Sequence, residues 1–172
     1  MMPVPDAPEG VPLRFSKGLA PLVRPDAEIL ILGSLPGRVS LQREQYYGHP
    51  ANQFWRLIGD VFGLRFAQCD YAEKIRLLHE NRIGLWDSIE AAVRHSSLDS
   101  DIRHPRLNSI SALAESLPRL RIIGFNGKVA ARFALLTADI GAQQVHLPSS
   151  SPANTTPYAV KLAAWEKLKE RA

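Results

Sequence analysis

A run of four aliphatic residues, ILIL at positions 29–32, places the strongest constraint on how this chain folds. Consecutive apolar residues that end at a glycine, here Gly33, are typical of a strand buried on both faces. Strands of this kind belong to parallel sheets that helices cover on both sides. Three further short runs, at residues 82–86, 120–125 and 144–147, are also predicted to be strands.

Amphipathic stretches separate the predicted strands. Apolar side chains recur at helical spacing in five segments, residues 51–62, 71–81, 107–117, 128–137 and 158–169. Alternating strands and helices predict an α/β protein, a single three-layer α/β/α domain with a central four-stranded parallel sheet. We assign residues 1–24 to an N-terminal lead segment and residues 25–172 to that one domain.

Composition excludes several other classes of protein. The single cysteine, Cys69, cannot form an internal disulfide, a cysteine-rich zinc site or a metal cluster such as an iron–sulfur centre, and it favours the reducing cytoplasm. No apolar run reaches 18 residues, so we expect no membrane span. The net charge of +4 permits a polyanionic partner without requiring one.

Ligands of open parallel sheets bind beyond the carboxyl ends of the strands. Four segments follow the predicted strands, at residues 33–37, 86–88, 125–127 and 148–154. Three of them are rich in Gly, Pro, Ser or Asn, which bring backbone amides and hydroxyl groups close to a ligand. We therefore expect the functional site at this edge of the sheet.

The first segment, GSLPG at residues 33–37, does not fit two common loops. A phosphate-binding P-loop needs Lys and then Ser or Thr after its last glycine, whereas Arg38 and Val39 follow here. In a hydrolase nucleophile elbow the serine is third in the glycine frame, whereas Ser34 is second. A tight turn and a ligand-lining loop both remain open for this segment.

A second stretch, YYGHPANQFW at residues 46–55, precedes a predicted helix. Asn52 either caps that helix through its side-chain oxygen or holds a water or a sugar-phosphate group. Tyr46 and Tyr47 either stack on a base or pack beneath the loop. His49 either contacts a phosphate or is an ordinary surface histidine.

Two further segments offer hydrogen-bonding groups. In FNG, residues 125–127, the amide of Asn126 can accept from an N–H and donate to the neighbouring carbonyl, which matches the pairing edge of uracil or hypoxanthine. A turn Asn before Gly is the alternative. In LPSSSPAN, residues 147–154, hydroxyl groups in a proline-stiffened loop suit phosphate binding, although an ordinary serine-rich loop is the alternative.

In this order, GSLPG, YYGHPANQFW, FNG and LPSSSPAN resemble the uracil-DNA glycosylase superfamily. The resemblance covers residues 28–165 and is greatest to the hypoxanthine-DNA (deoxyinosine) glycosylase branch, a relative of the mismatch-specific uracil and thymine glycosylases. It implies a monofunctional enzyme that flips a deaminated base out of DNA and hydrolyses its N-glycosidic bond, leaving an abasic site for base excision repair. It also implies no metal or organic cofactor, DNA with a deaminated base as the partner, and action as a monomer.

Site residues carry over from the resemblance by position. Asn52 resembles the catalytic asparagine that places the attacking water, and Asn126 resembles a second catalytic asparagine that reads the base edge. The segment at residues 152–155 is where we expect the plug that fills the gap in the duplex. The expected base pocket comprises Gly33, Ser34, Leu35, Pro36, Gly37, Tyr46, Tyr47 and Phe54. The expected DNA-binding residues are Ser149, Ser150, Ser151, Pro152, Asn154 and His49.

The chain departs from its relatives at two positions. Many relatives carry an acid or amide where Ser34 stands, and a hydroxyl is no base at neutral pH, so we expect Asn52 to orient water in a dissociative reaction. Other relatives open the last loop with a histidine, where this chain has Leu147. His146 precedes it and is expected to point to the opposite face of the strand. Asp87 either orients water or accepts a hydrogen bond from the sugar, or, as we favour, caps a following helix together with Ser88.

Three alternatives stay open. The same fold could serve as a non-catalytic module that binds nucleic acid or a nucleotide. An unrelated α/β enzyme could use Ser34 as a nucleophile, although the missing elbow frame argues against it. Within the glycosylases, uracil competes with hypoxanthine, because both bases present the same donor–acceptor pair and only pocket size would separate them.

Overall fold

A computed structural model describes residues 12–170, and the part of the predicted lead segment at residues 1–11 lies outside them. The strands are β1 (Arg14–Lys17), β2 (Ile29–Gly33), β3 (Ile83–Asp87), β4 (Ile89–Arg94), β5 (Arg103–Leu107), β6 (Ile122–Asn126) and β7 (Gln143–Leu147). The α-helices are α1 (Arg38–Arg43), α2 (Phe54–Phe62), α3 (Tyr71–Glu80), α4 (Ile110–Ala114), α5 (Lys128–Ala131) and α6 (Tyr158–Trp165).

The central sheet has four parallel strands in the order β3-β2-β6-β7. Gly33 is paired with Asp87 and Asn126 with Leu147, so all four strands end at the same edge. The predicted α/β class and four-stranded parallel sheet are therefore confirmed. The register aligns the loops that follow the strands, as the site prediction requires.

Apolar side chains cover both faces of this sheet. On one face, Ile29, Ile31 and Leu85 pack in a cluster with residues of α2, α3 and α6. On the other face, Leu30 and Leu32 pack in a cluster with residues of α4 and α5. Burial on both faces explains why residues 29–32 are continuously aliphatic rather than alternating with polar residues.

Two of the three α-helices between β2 and β3, α2 and α3, show why the local sequence is helical. Helix α2 turns Phe54, Trp55, Leu57, Ile58 and Val61 into the core and ends at Gly63, whose φ of 69° is left-handed. Helix α3 begins with a capping box, in which the Asp70 side chain accepts from the Glu73 N–H and the Glu73 side chain accepts from the Asp70 N–H.

Three predicted helices are shorter than expected. The helix predicted at residues 107–117 is confined to α4, because Leu107 ends strand β5. The segments predicted at 128–137 and 158–169 begin as α5 and α6 but continue as 3₁₀ turns at Ala134–Ile140 and Glu166–Leu168. Helix α1, directly after GSLPG, was not predicted.

A second sheet was also missed. Strands β1, β4 and β5 form an antiparallel sheet in the order β1-β4-β5. β5 reads RHPRL, with a proline and three basic residues, and β1 reads RFSK, so neither has the pattern of a buried strand. Proline and charge are typical of edge strands, where backbone groups face water.

The small sheet corrects one expectation at the site. Asp87 and Ser88 are followed by strand β4, not by a helix. The capping role that we favoured for Asp87 is therefore wrong.

Part of the predicted lead segment packs on the domain. Besides β1, Leu22 forms an antiparallel bridge with Leu85 through N–H···O bonds of 2.9 Å in both directions. No helix within residues 12–170 is long and apolar enough to cross a membrane.

The contact between this segment and β3 can be tested at Gly84. A Cβ there would lie 2.5 Å from Val23 Cγ1 and 3.3 Å from the Leu22 carbonyl oxygen. We expect Gly84→Ala to lower the free energy of unfolding by about 1–3 kcal/mol, because a stiff neighbour must move. Gly48→Ala, whose Cβ would meet its nearest atoms at an ordinary 3.5 Å, is the control. Equal thermal unfolding of the two variants would contradict the close packing of residues 22–23 on β3.

Candidate active site

A cavity of about 960 Å³ opens at the carboxyl edge of the central sheet. All four segments predicted from the strand ends contribute to its wall, and so does the loop between β4 and β5. Its expected members are Gly33, Ser34, Leu35, Gly37, Tyr47, His49, Asn52, Asp87, Asn126, Ser149, Ser150, Ser151, Pro152 and Asn154. The unexpected members include Arg38, Ser97, Leu98, Asp99 and Lys128.

Asp87 is the most unusual side chain of the wall. It is only 4% exposed, and its Oδ2 is buried without a hydrogen-bond partner among residues 12–170. Burial raises the pKa of its carboxyl to about 7, the nearby Asp99 raises it further, and Arg94 opposes the shift. Asp87 therefore exchanges a proton near neutral pH, which is uncommon for a carboxyl group and typical of functional sites.

Gly33 is required by the position of Asp87. A Cβ on Gly33 would lie 2.5 Å from Asp87 Oδ1 and 3.1 Å from the Tyr47 hydroxyl oxygen. A side chain there would displace the Asp87 carboxyl, so the glycine lets a carboxyl and a phenol converge over the end of β2. The sequence suggested that a ligand comes close to the backbone at this glycine. In the structure, the groups that come close to it are the side chains of Asp87 and Tyr47.

Asn126 joins three parts of the site. Its Nδ2 donates to Ser150 Oγ at 2.9 Å and to the Tyr47 hydroxyl at 3.2 Å, while its Oδ1 accepts from the Ser150 N–H at 3.0 Å. Both amide hydrogens are therefore committed inside the protein. Reading a base edge with donor and acceptor together, as we predicted for Asn126, would require breaking these bonds.

Asn52 lies at the start of α2 and lines the cavity. Its Oδ1 accepts from the Phe54 N–H at 2.9 Å, so the first N–H of α2 is capped from the residue before the N-cap position, Gln53. The role toward a water or a sugar-phosphate group stays a prediction. No described residue accepts from its Nδ2. The cap fixes the side chain and leaves an amide donor for a water or a substrate.

The two neighbouring tyrosines have different positions. Tyr47, with a left-handed φ of 53°, lines the cavity and stacks on Phe54 with ring centroids 3.9 Å apart. Tyr46 is buried in the core and donates to the Ala20 carbonyl at 2.7 Å. Of the expected base pocket, Tyr46 and Phe54 are therefore core residues. Pro36 is also outside the wall, and its carbonyl accepts from Arg94.

Ser34 is paired with an acid that sequence reasoning missed. Its hydroxyl donates to Asp99 Oδ1 at 2.6 Å, so toward the cavity Ser34 can only accept a hydrogen bond. Burial raises the pKa of Asp99, whereas the Ser34 bond lowers it. Neither His49 nor His146 hydrogen-bonds to Ser34 in the described chain, which argues further against Ser34 as a nucleophile.

The serine loop keeps hydroxyl hydrogens available. Ser149 Oγ accepts from the Ser151 N–H at 3.1 Å, and Ser151 Oγ accepts from the Ala153 N–H at 3.2 Å. Each hydroxyl can still donate, for example to a phosphate oxygen. Asn154 instead braces the loop, because its Nδ2 donates to the Ser149 carbonyl and its Oδ1 accepts from Thr156.

A buried lysine links this loop to helix α2. Lys161 is 1% exposed, and its Nζ donates to Gln53 Oε1 at 2.9 Å and to the Asn154 carbonyl at 2.8 Å. Burial lowers the pKa of Lys161. Since Gln53 N–H also donates to the Ser150 carbonyl at 3.0 Å, the serine loop and the segment that carries Asn52 form one unit.

Cationic groups occur at the rim of the cavity. Arg38 and Lys128 are exposed and line it, as does His49, whose Nδ1 accepts from the Ala51 N–H. His146 lies outside the wall and packs edge-on against Phe125 on the other face of the sheet, as its strand position predicted. Within the described range, no group of three or more side chains is placed to hold a metal ion.

Comparison with known proteins agrees with this geometry. Residues 20–169 match the Uracil DNA glycosylase superfamily. The chain belongs to the uracil-DNA glycosylase superfamily. It is 41% identical over 154 residues to a Hypoxanthine DNA glycosylase of Methanosarcina acetivorans and 37% identical over 155 residues to one of Methanosarcina barkeri. Each alignment covers 90% of this chain and 98% of the relative.

A solved structure is also similar. The solution NMR structure of a protein from Methanosarcina acetivorans, described as a uracil DNA glycosylase, superposes with a TM-score of 0.83 at 40% identity. The superposition covers 90% of this chain and 96% of the Methanosarcina acetivorans chain. The resemblance seen in the sequence is confirmed, and this uracil-DNA glycosylase superfamily member is a DNA glycosylase.

The link through Lys161 yields a test of how the serine loop is held. We expect Lys161→Met to weaken binding of undamaged duplex DNA by about 5- to 30-fold, because about 1–2 kcal/mol of loop-ordering hydrogen bonds is lost. Lys167→Met removes the same charge from an exposed position and is the control. Equal loss of affinity in both variants, measured by fluorescence anisotropy, would attribute the effect to charge alone.

Proposed function

We propose that this DNA glycosylase hydrolyses the N-glycosidic bond of deoxyinosine in DNA, releasing hypoxanthine and leaving an abasic site for base excision repair. The observation that carries the proposal is the position of Asn52 in the cavity wall. Its side-chain oxygen accepts from the Phe54 N–H, and its Nδ2, which has no acceptor among the described residues, can donate to a water or a substrate. The relatives named Hypoxanthine DNA glycosylase support the choice of base. A cavity of about 960 Å³ does not exclude a purine by size.

In this proposal, Asn52 orients the attacking water. An amide cannot take up the proton at neutral pH, so the C–N bond must break largely before water attacks, and positive charge develops on the sugar. Ser34, whose hydrogen points to Asp99, can accept a hydrogen bond from the water or from the extruded nucleotide.

The DNA contacts are proposed from the two sides of the cavity. On one side, Ser149 and Ser151 donate to phosphates, while Ser150 is 1% exposed and acts mainly by holding the loop on Asn126. On the rim, Arg38 and Lys128 attract the backbone, and His49 contacts a phosphate. Pro152 and Ala153 are exposed at the loop tip, which supports the segment at residues 152–155 as the plug.

We also propose that the enzyme acts as a monomer in the cytoplasm on DNA that carries a deaminated base. One chain supplies all the residues that line the cavity described above, and extrusion of one nucleotide needs one pocket. The lone Cys69 fits a reducing compartment.

The substrate proposal can be tested with short duplexes that carry one inosine, one uracil or no lesion, followed by alkali to reveal abasic sites. We expect strand breaks from inosine and few from uracil. Breaks mainly from uracil would keep the DNA glycosylase activity and overturn the choice of base. Binding without breaks in any duplex would favour a non-catalytic module.

The role of Asn52 can be separated from its helix cap. Asn52→Ser retains an oxygen that accepts from the Phe54 N–H, whereas Asn52→Ala does not. We expect both variants to lose about 100-fold or more of the single-turnover rate, because both lack the amide donor. Only Asn52→Ala should lose about 1 kcal/mol of stability. Near wild-type turnover in Asn52→Ser, with DNA binding intact in both, would reduce Asn52 to a cap.

A further inference from the structure

The proposed reaction leaves one requirement unmet. As the glycosidic bond breaks, negative charge develops on the departing base, and a hydrogen-bond donor must stabilise it. Asn126 cannot easily do so, because Ser150 and Tyr47 use both of its amide hydrogens. Arg38 and Lys128 are exposed at the rim rather than at the strand ends.

Asp87 lies at the floor of the cavity, where β2 and β3 end side by side. Its backbone is fixed, since its carbonyl accepts from Asn108 Nδ2 at 2.9 Å and the next residue, Ser88, donates its N–H to the Gly33 carbonyl at 2.8 Å. Its Oδ1 lies over Gly33 beside the Tyr47 hydroxyl, and its Oδ2 is buried without a partner among residues 12–170.

An ionised carboxylate fits this position poorly. Among the described residues, Asp87 forms neither an ion pair nor a side-chain hydrogen bond, and a carboxylate oxygen buried without a donor is costly. The groups that face it are Asp99, whose charge repels it, Arg94, whose charge attracts it, and Tyr46 and Tyr47, whose pKa values are raised by burial. The protonated carboxyl, which is a donor, is the form that this setting favours.

We propose that Asp87, in its protonated form, is a catalytic residue that donates a hydrogen bond to the departing base. The proposal rests on the proposed function, because it concerns the base that this glycosylase extrudes. The proton stays on Asp87, and the hydrogen bond disperses the negative charge that develops on the base. The attacking water loses its proton to solvent, and the released base anion takes one up from solvent. Asp87 would thus supply the leaving-group stabilisation for which Leu147 and His146 are unsuited.

The proposal fixes the sign of the pH dependence. The pKa of Asp87 is about 7, so the donor is present below that pH and is lost above it. We expect the single-turnover rate, with enzyme in excess over DNA, to be level at pH 6 and to fall toward tenfold per unit above pH 7. An Asp87 that activates water as a base would give the opposite slope.

Variants then separate the two roles. Asp87→Asn keeps an N–H donor that does not titrate, so we expect a rate within about tenfold of the acidic plateau and no alkaline decline. Asp87→Leu removes the donor and should lose about 100-fold or more at every pH. Asp99→Asn removes the repelling charge, so the decline should begin at lower pH.

Thermal unfolding and binding to undamaged duplex confirm that each variant is folded. An Asp87→Asn enzyme that is folded but inactive at every pH, or a wild-type rate that rises through pH 7, would overturn the proposal. An alkaline decline that persists in Asp87→Asn would overturn it too. A wild-type enzyme that cuts neither inosine nor uracil would instead remove the proposed function, so the two failures are distinguishable.

Discussion

The side-chain amide of Asn126 is the interaction on which the site depends. It stands at the end of β6 and bonds both the backbone and the hydroxyl of Ser150, as well as the Tyr47 hydroxyl. Ser150 in turn accepts from the Gln53 N–H, next to Asn52. One buried amide therefore sets the distance between the serine loop, Tyr47 and Asn52. A buried network in which every hydrogen-bonding group of one amide is used favours one geometry over its alternatives.

Two buried side chains with atoms unpaired in the described part of the chain lie at the end of β3 and at the end of β4. Asp87 and Arg94 are each 4% exposed, and each has a buried side-chain atom without a partner among residues 12–170. Asp99 is tied to Ser34 and lies close enough to affect the pKa of both. In one half of the wall, Asn126 holds its neighbours by hydrogen bonds. In the other half, the buried carboxyl of Asp87 has an oxygen without a hydrogen-bond partner among the described residues. The half with hydrogen-bonded side chains suits positioning, and the other half holds a carboxyl whose pKa is about 7.

The sequence was most informative where burial dictates residue type. Residues 29–32 predicted a strand buried on both faces, and the parallel register then placed the glycine, serine and asparagine loops together. The sequence was least informative for strands that are exposed to water. Strand β5 has a proline and charges because it is an edge, so its pattern does not differ from that of a loop. Because the small sheet was not predicted, Asp99 was not predicted at the site either. Asp99 lies in the turn after β4 and lines the cavity.

Side chains that can fill two roles at once also limit what can be predicted from the sequence. Asn52 caps a helix and lines the cavity, and spacing alone cannot separate these roles because one position satisfies both. For Asp87, the favoured cap was wrong because it assumed a following helix, whereas β4 follows. The role of such residues depends on which hydrogen bonds their neighbours have already taken, and only the assembled structure contains that information.

The position of Asp87 also has a cost to stability. Its folded pKa is about 7, whereas an aspartate in an unfolded chain titrates near 3.9, so between these values the folded state holds one more proton. By linkage, the contribution of Asp87 to stability is full below the unfolded pKa and declines as the pH rises through this window. A leucine or asparagine would avoid that decline. The chain instead has, in the wall of its cavity, an acid whose contribution to stability declines as the pH approaches 7, and such a cost is expected of the catalytic residue proposed above.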